Sequence, residues 1–285
     1  MTLHLRTATP TDAAAAGRIC YDAFKTIAEQ HGFPPDFPTP EVATGLMQEL
    51  VSRLDVHALI AETNGRVAGS NFLWEREAVA GVGPITVDPA AQNGAIGRRL
   101  MEAVLGRAQQ QGFKAVRLVQ AAYHSRSLSL YTKLGFIARE QLAVMQGNPI
   151  GTRIAGQEVR PAREADLQAA SGICRQVHDH GRAEELLEAI GKGTATVVER
   201  ERRITGYATD IGFFGHAVAE TTDDLKALIA AAKAFPGPGF LVPVRNTALF
   251  RWCLVHGLRV VQPMTLMSIG DYHEPRGAFL PSVLY

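Results

Sequence analysis

The feature that most constrains how this 285-residue chain can fold is an internal duplication. Leu5-Arg6-x-Ala8-x-x-x-Asp12-x-x-Ala15-Ala16-x-x-Ile19-Cys20 matches Val159-Arg160-x-Ala162-x-x-x-Asp166-x-x-Ala169-Ala170-x-x-Ile173-Cys174 at one constant offset, Leu5 to Val159. Each copy reads as a short strand, a turn holding an Asp suited to helix capping, and an alanine-rich helix with an apolar stripe. The match continues with Leu59-Ile60-Ala61-Glu62 and Arg66-Val67-Ala68-Gly69, which align with Thr196-Val197-Val198-Glu199 and Arg203-Ile204-Thr205-Gly206. Both copies are therefore predicted to form a hairpin, turning near Asn64-Gly65 and Glu201-Arg202. Near the end of the second copy, His256-Gly257-Leu258 stands where Leu134-Gly135-Phe136 stands in the first. The reading gives one module over residues 1–147, a linker over 148–155 rich in turn formers, and a second module over 156–285.

The copies differ in one place. In the first, residues 82–101 read as a strand, a glycine-containing turn and an amphipathic helix starting near Ile96. The first turn of such a helix offers unpaired N–H groups and the positive end of its dipole, a ready site for an anion. Arg98 and Arg99 add full charges. In the second copy, Phe214-Gly215-His216-Ala217-Val218-Ala219-Glu220-Thr221-Thr222-Asp223-Asp224-Leu225-Lys226 has no such turn and puts acids at the helix start, where they cap the helix and repel phosphate. Leu130-Tyr131-Thr132-Lys133-Leu134-Gly135-Phe136 reads as a helix end closed by glycine, and Cys253 aligns opposite Tyr131.

Val87-Asp88-Pro89-x-x-Gln92-Asn93-Gly94-Ala95-Ile96-Gly97 resembles the acetyl-CoA pyrophosphate loop of the GNAT N-acetyltransferases, and Leu130-Tyr131-x-x-Leu134-Gly135-Phe136 resembles that family's second signature. One departure stands out: Ala95 occupies a position where the family usually has Gly, with a glycine displaced to 94. The resemblance implies an α/β fold of the α+β kind, built as two GNAT-like modules. Each is a mixed, mostly antiparallel sheet flanked by helices, and the second is a degenerate copy without the loop.

It also implies acetyl-CoA as co-substrate. The pantetheine arm would lie along the backbone of Ile85, Thr86 and Val87, and the pyrophosphate against Gln92, Asn93, Gly94, Ala95, Ile96, Gly97 and Arg98. His124 and Ser127 fall at further cofactor positions, His124 where the family often has Asn. Tyr131 falls where the family's general acid stands, facing the departing sulfur, and a backbone N–H near Val87 would polarise the thioester carbonyl. An amine of pKa ~10.4 costs about 4.6 kcal/mol to deprotonate at pH 7, so acceptor deprotonation is the larger burden. Glu75 and Glu77 alternate onto one face of a strand and are the candidate bases, with a water relay as an equal alternative. His31-Gly32-Phe33-Pro34-Pro35-Asp36-Phe37-Pro38-Thr39-Pro40 is expected to be a stiff apolar lid over the acceptor, or packing against the second module.

The expected activity is transfer of the acetyl group to a primary amine of a small molecule, or to an exposed amino group, by direct attack in a ternary complex. The alternatives are a non-catalytic acyl-CoA-binding or scaffolding protein and, more distantly, a nucleotide-binding oxidoreductase. Net charge +1, from 29 basic and 28 acidic residues, gives no field for nucleic acid or an anionic membrane. The amino terminus lacks an apolar signal segment and no apolar run reaches membrane-spanning length, so a cytoplasmic location is expected. Cys20, Cys174 and Cys253 lack metal-ligand spacing, and neighbouring His178 and His180 have no third partner, so no metal site is expected. The apolar tail from Gly277 should be docked, as a strand on the first module or at a subunit interface, which leaves a homodimer open.

Overall fold

The structure is a computed structural model that describes residues 3–92 and 94–284. The first half runs β1 (Leu3–Thr7), α1 (Ala13–Gln30), α2 (Pro40–Ser52), β2 (Val56–Thr63), β3 (Arg66–Trp74), β4 (Val79–Val82), β5 (Thr86–Val87), α3 (Ile96–Gln110), β6 (Ala115–Ala121), α4 (Ser125–Lys133) and β7 (Ile137–Gln146). The second half repeats that order without a β5 counterpart: β8 (Glu158–Pro161), α5 (Leu167–His178), α6 (Ala183–Lys192), β9 (Thr196–Arg200), β10 (Arg203–Ala208), β11 (Ala217–Ala219), α7 (Thr222–Ala231), β12 (Phe240–Pro243), α8 (Thr247–Val255) and β13 (Arg259–Gly270). A last strand, β14 (Ala278–Leu280), follows it.

The duplicated residues do the same work twice. Arg6 grips both oxygens of Asp12 at 2.7 Å and bonds Glu62, while the Asp12 carboxylate accepts the Thr9 amide. Arg160 holds Asp166 and Glu199 in the same way, with the Arg163 amide donating to Asp166. Each cluster ties the first strand to the start of the following helix and to the next strand. Both predicted hairpins form, with φ positive at Asn64 and Gly65 and again at Glu201 and Arg202, as a tight turn between twisted strands requires.

The expectation of two separate sheets needs amendment. A nine-stranded sheet has the order β1-β2-β3-β4-β6-β13-β7-β12, with β5 also on β3, and a five-stranded sheet has the order β14-β11-β10-β9-β8. β13 lies between β6 and β7, antiparallel to both, so that Met264 faces Ala121 on one side and Leu142 on the other. β12 pairs the far edge of β7. The four strands at this end of the large sheet thus come alternately from the two halves. Residues 148–155 divide the chain but not the sheet, because hydrophobic alternation marks β13 as a strand and says nothing about its neighbours.

One face of the large sheet packs on α3 and α4 through Leu100, Met101, Val104 and Leu118, and the other on α1 and α2 through Ala43, Met47, Ile60 and Phe72. Leu142, Val144, Leu241 and Leu266 pack with Val79 and Phe213 where the halves meet. The tail docks on the second half, not the first, with β14 antiparallel to β11.

Candidate active site

A cleft opens where the first sheet loses a pairing. β4 and β6 run parallel and pair only over Val79–Gly81 and Ala115–Arg117. Beyond that point the chain after Gly83 returns to β3, where β5 pairs Gly69 with Val87 and Ser70 with Thr86, while β6 continues against β13. Among the described residues, the facing edges of 85–87 and 118–121 have no strand partner. Gly69 allows the close approach of β5, since a Cβ there would come within 2.6 Å of the Thr86 carbonyl.

The turn at the cleft mouth leads into α3. Ala95 takes φ 60°, ψ 9°, the left-handed conformation, and supplies no side-chain cap to the helix. The displaced Gly94 does not serve that role: the left-handed residue is the alanine, and Gly94 is not among the positive-φ glycines. No side chain caps the first-turn amides of α3, which follow directly on this turn. Asn93 lies outside the described residues. Gln92 bonds the Val87 carbonyl through its amide nitrogen and accepts from Arg126, so α4 supplies a cation to the loop that sequence reading passed over. Arg98 instead pairs along its own helix with Glu102. Ile96 is buried, and an added Cβ at Gly97 would meet Val87 and Leu130 at ordinary contact distance.

Tyr131 sits on α4 among the apolar residues of α3 and β6, with its ring 6.1 Å from Phe136. Burial pushes its phenol well above the usual range, and its hydroxyl bonds no described residue. His124 caps the start of α4 by position and not by a side-chain bond, and burial, then Arg126 and His31, push it down to about 4. The Ser127 hydroxyl is committed to Gln120 at 2.7 Å, and Thr86 to Ser70 at 3.1 Å. Ile85 packs against the core shared with α3.

Glu75 and Glu77 do not share a face. Glu75 makes a two-bond ion pair with Arg107, at 2.6 and 2.9 Å. Glu77 takes φ 47°, which breaks the strand alternation, and its carboxylate accepts the Glu184 amide at the start of α6. One is a structural ion pair and the other a cap reaching across to the second half.

A different carboxylate comes from the lid. Phe33 stacks on Tyr123 at 4.3 Å, Phe37 meets Phe24 edge-on, and Asp36 accepts a 2.8 Å hydrogen bond from Gln262 of β13. Gln262 in turn accepts from the Tyr123 hydroxyl at 3.1 Å. Gln262 escaped sequence reading because its strand comes from the other half of the chain.

The counterpart cleft in the second half is filled. The edge of β11 that corresponds to the β6-facing edge of β4 pairs with β14, which also packs along β12. α7 is capped by the Thr221 hydroxyl and carries Asp223 and Asp224 in its first turn. Cys253, opposite Tyr131 in the alignment, is fully buried. His178 and His180 stack at 5.7 Å, His180 meets Arg117 at 3.2 Å, and Asp179 turns away to His273.

Residues 22–136 match the family model for the GNAT acetyltransferases. An IAA acetyltransferase of Azospirillum brasilense is 31% identical over 94 residues, 32% of this chain and 61% of that protein, so the chain spans about three fifths of the relative's length. The crystal structure of a protein from Pyrococcus horikoshii, classed as an acetyltransferase, superposes with a TM-score of 0.74 at 17% identity, covering 97% of this chain and 94% of the other. A GCN5-related N-acetyltransferase from Sphaerobacter thermophilus does so with 0.61 at 15% identity, covering 95% and 96%. At such identities the likeness is one of fold, and it extends over both halves. Strands that part beside an uncapped helix, with a family match over the same residues, make the segment 22–136 an acetyltransferase domain of the GNAT family.

Proposed function

We propose that the chain is an acetyl-CoA-dependent N-acetyltransferase whose chemistry is confined to residues 1–147, with 156–285 a degenerate GNAT-like half that builds the acceptor side. The observation that carries this reading is the parting of the strand edges at 85–87 and 118–121, beside a start of α3 that no side chain caps. Unpaired backbone on two strand edges suits an extended amide-bearing arm, and free helix amides suit a pyrophosphate.

Acetyl-CoA supplies an activated acetyl thioester. The chain's part is to hold that arm along Ile85, Thr86 and Val87, and to bind its phosphates at Gln92, Gly94, Ala95, Ile96, Gly97 and the added cation of Arg126. Tyr131, kept protonated by burial, donates to the leaving sulfur. The acceptor is a primary amine of a small molecule or an exposed amino group, attacking directly within a ternary complex. The proposed setting is cytoplasmic; no helix among the described residues is long and apolar enough to cross a membrane.

The test is a pair of measurements on the intact chain: thermal shift with acetyl-CoA against NADH, and release of free thiol with a panel of primary amines. Stabilisation by acetyl-CoA alone together with amine-dependent release supports the reading. Binding without release across the panel favours the acyl-CoA-binding or scaffolding alternative, and preference for NADH overturns the cofactor assignment.

A further inference from the structure

The acids that support the first half are held by arginines. Asp12 is held by Arg6, Asp55 by Arg53 and Arg76, Glu75 by Arg107, and Glu102 by Arg98. Asp36 is different. Its hydrogen-bond partner among the described residues is the neutral amide of Gln262, on one oxygen only, and no ion pair reaches it. Its surroundings are aromatic: the Phe33–Tyr123 stack on one side, with Phe37 next in the chain. A half-buried carboxylate in such a place lacks its counter-charge, and a cation with C–H or N–H edges against aromatic faces is the chemistry that would supply it.

The position also fits. Tyr123 follows β6 directly, at the end where β6 has left β4, and His124 and Ser127 of the cofactor side come next in the chain. Gln262 holds the carboxylate and the phenol together from the strand that lies beside β6. Lid, cleft strand and exchanged strand meet at this carboxylate.

We propose that Asp36 receives the ammonium group of the acceptor and takes its proton, with Gln262 as the positioning residue that fixes one carboxylate oxygen and leaves the other to the substrate. This rests on the acetyltransferase reading above and names a base other than Glu75 and Glu77, whose carboxylates are engaged by Arg107 and by the Glu184 amide. In the step, an R–NH3+ acceptor gives one proton to Asp36 and its lone pair forms the C–N bond to the acetyl carbonyl carbon. The C–S bond breaks, and the sulfur leaves with the electron pair and takes the Tyr131 proton. The second proton shed by the nitrogen restores Tyr131 through solvent, and Asp36 releases its own, for a net loss of one proton. Burial holds the Asp36 carboxyl above the usual aspartate range, against the pull of Gln262, which brings it closer to the amine it serves.

The experiment compares wild type, Asp36→Asn and Asp36→Ala, with benzylamine, tyramine and cadaverine as acceptors. It reads thiol release, acetyl-CoA affinity, and rescue by formate. Both variants should lose about 100-fold or more in kcat/KM for the amine. Acetyl-CoA affinity should stay within about twofold, since among the described residues the hydrogen bond of Asp36 goes to Gln262 and not to the loop. Formate should restore part of the rate to Asp36→Ala and none to wild type, a response that a merely structural defect cannot give. Wild-type kcat/KM in either variant, or a loss that formate leaves untouched in a protein with intact acetyl-CoA binding, overturns the role of Asp36. A wild type that binds acetyl-CoA but acetylates no amine fails the acetyltransferase reading, and this inference with it.

Discussion

Phe279 of β14 lies opposite Val218 of β11, so the chain's last strand takes the edge whose first-half counterpart on β4 pairs β6. β14 lies between β11 and β12, and Ala278, Phe279 and Leu280 are all buried there. One half keeps an open cleft and the other is closed by its own tail. Calorimetric titration of the intact chain with acetyl-CoA should therefore saturate at one ligand per chain. Saturation at two would show that β14 yields to the ligand.

Ala95 makes a local prediction. An L-residue with a Cβ in the left-handed region costs about 1–2 kcal/mol, which glycine avoids while losing part of the gain to its freer unfolded chain. Ala95→Gly should stabilise the protein by about 0.5–1 kcal/mol in urea denaturation and leave acetyl-CoA binding no weaker. Ala95→Val should do the opposite on both counts. A destabilised glycine variant would mean that the turn is not left-handed at 95.

Tyr131 offers a clean deletion of one oxygen. Phenylalanine preserves the ring against Phe136 and the apolar residues of α3, so fold and acetyl-CoA affinity should hold. Turnover should fall by about 100-fold, within the usual range for a positioned acid. Steady-state kinetics with wild-type kcat in Tyr131→Phe would remove the tyrosine from the mechanism.

Acid should destabilise the fold in two windows. Burial first, then Arg117, depresses His180 to about 4, and burial with Arg182 does the same to His216. The unfolded chain binds these protons near the ordinary histidine value of ~6.5, so stability falls as pH drops from about 6.5 towards 4. Below that, Arg6 and Arg160 hold Asp12 and Asp166 under the usual carboxylate range, and their contribution is lost as pH drops beneath about 4. Urea midpoints at pH 7.5, 5 and 3.5 should decline in both intervals, and His216→Gln should flatten the first. Equal midpoints at pH 7.5 and 5 would contradict the histidine account.

Much of the fold was readable from particular residues. The repeated Arg, Asp and Glu that marked the duplication form the same ion cluster in both halves, because a strand-to-helix turn places them within one guanidinium's reach. Asn64-Gly65 made its turn by backbone preference alone. The site was legible only in part. The loop, Tyr131 and the lid announced themselves by local composition, whereas alternation put Glu75 and Glu77 on a common face that the left-handed backbone at Glu77 abolishes.

By itself the sequence determined the elements, the duplication and which copy kept an anion-binding turn, since periodicity, turn chemistry and charge at a helix start are written in neighbouring residues. Tertiary structure alone decided that β13 crosses into the first sheet, that β14 closes the second cleft, and that Gln262 meets Asp36 across 226 positions of chain. A strand carries its apolar face in its own sequence, but not the identity of the strand that will satisfy its edges.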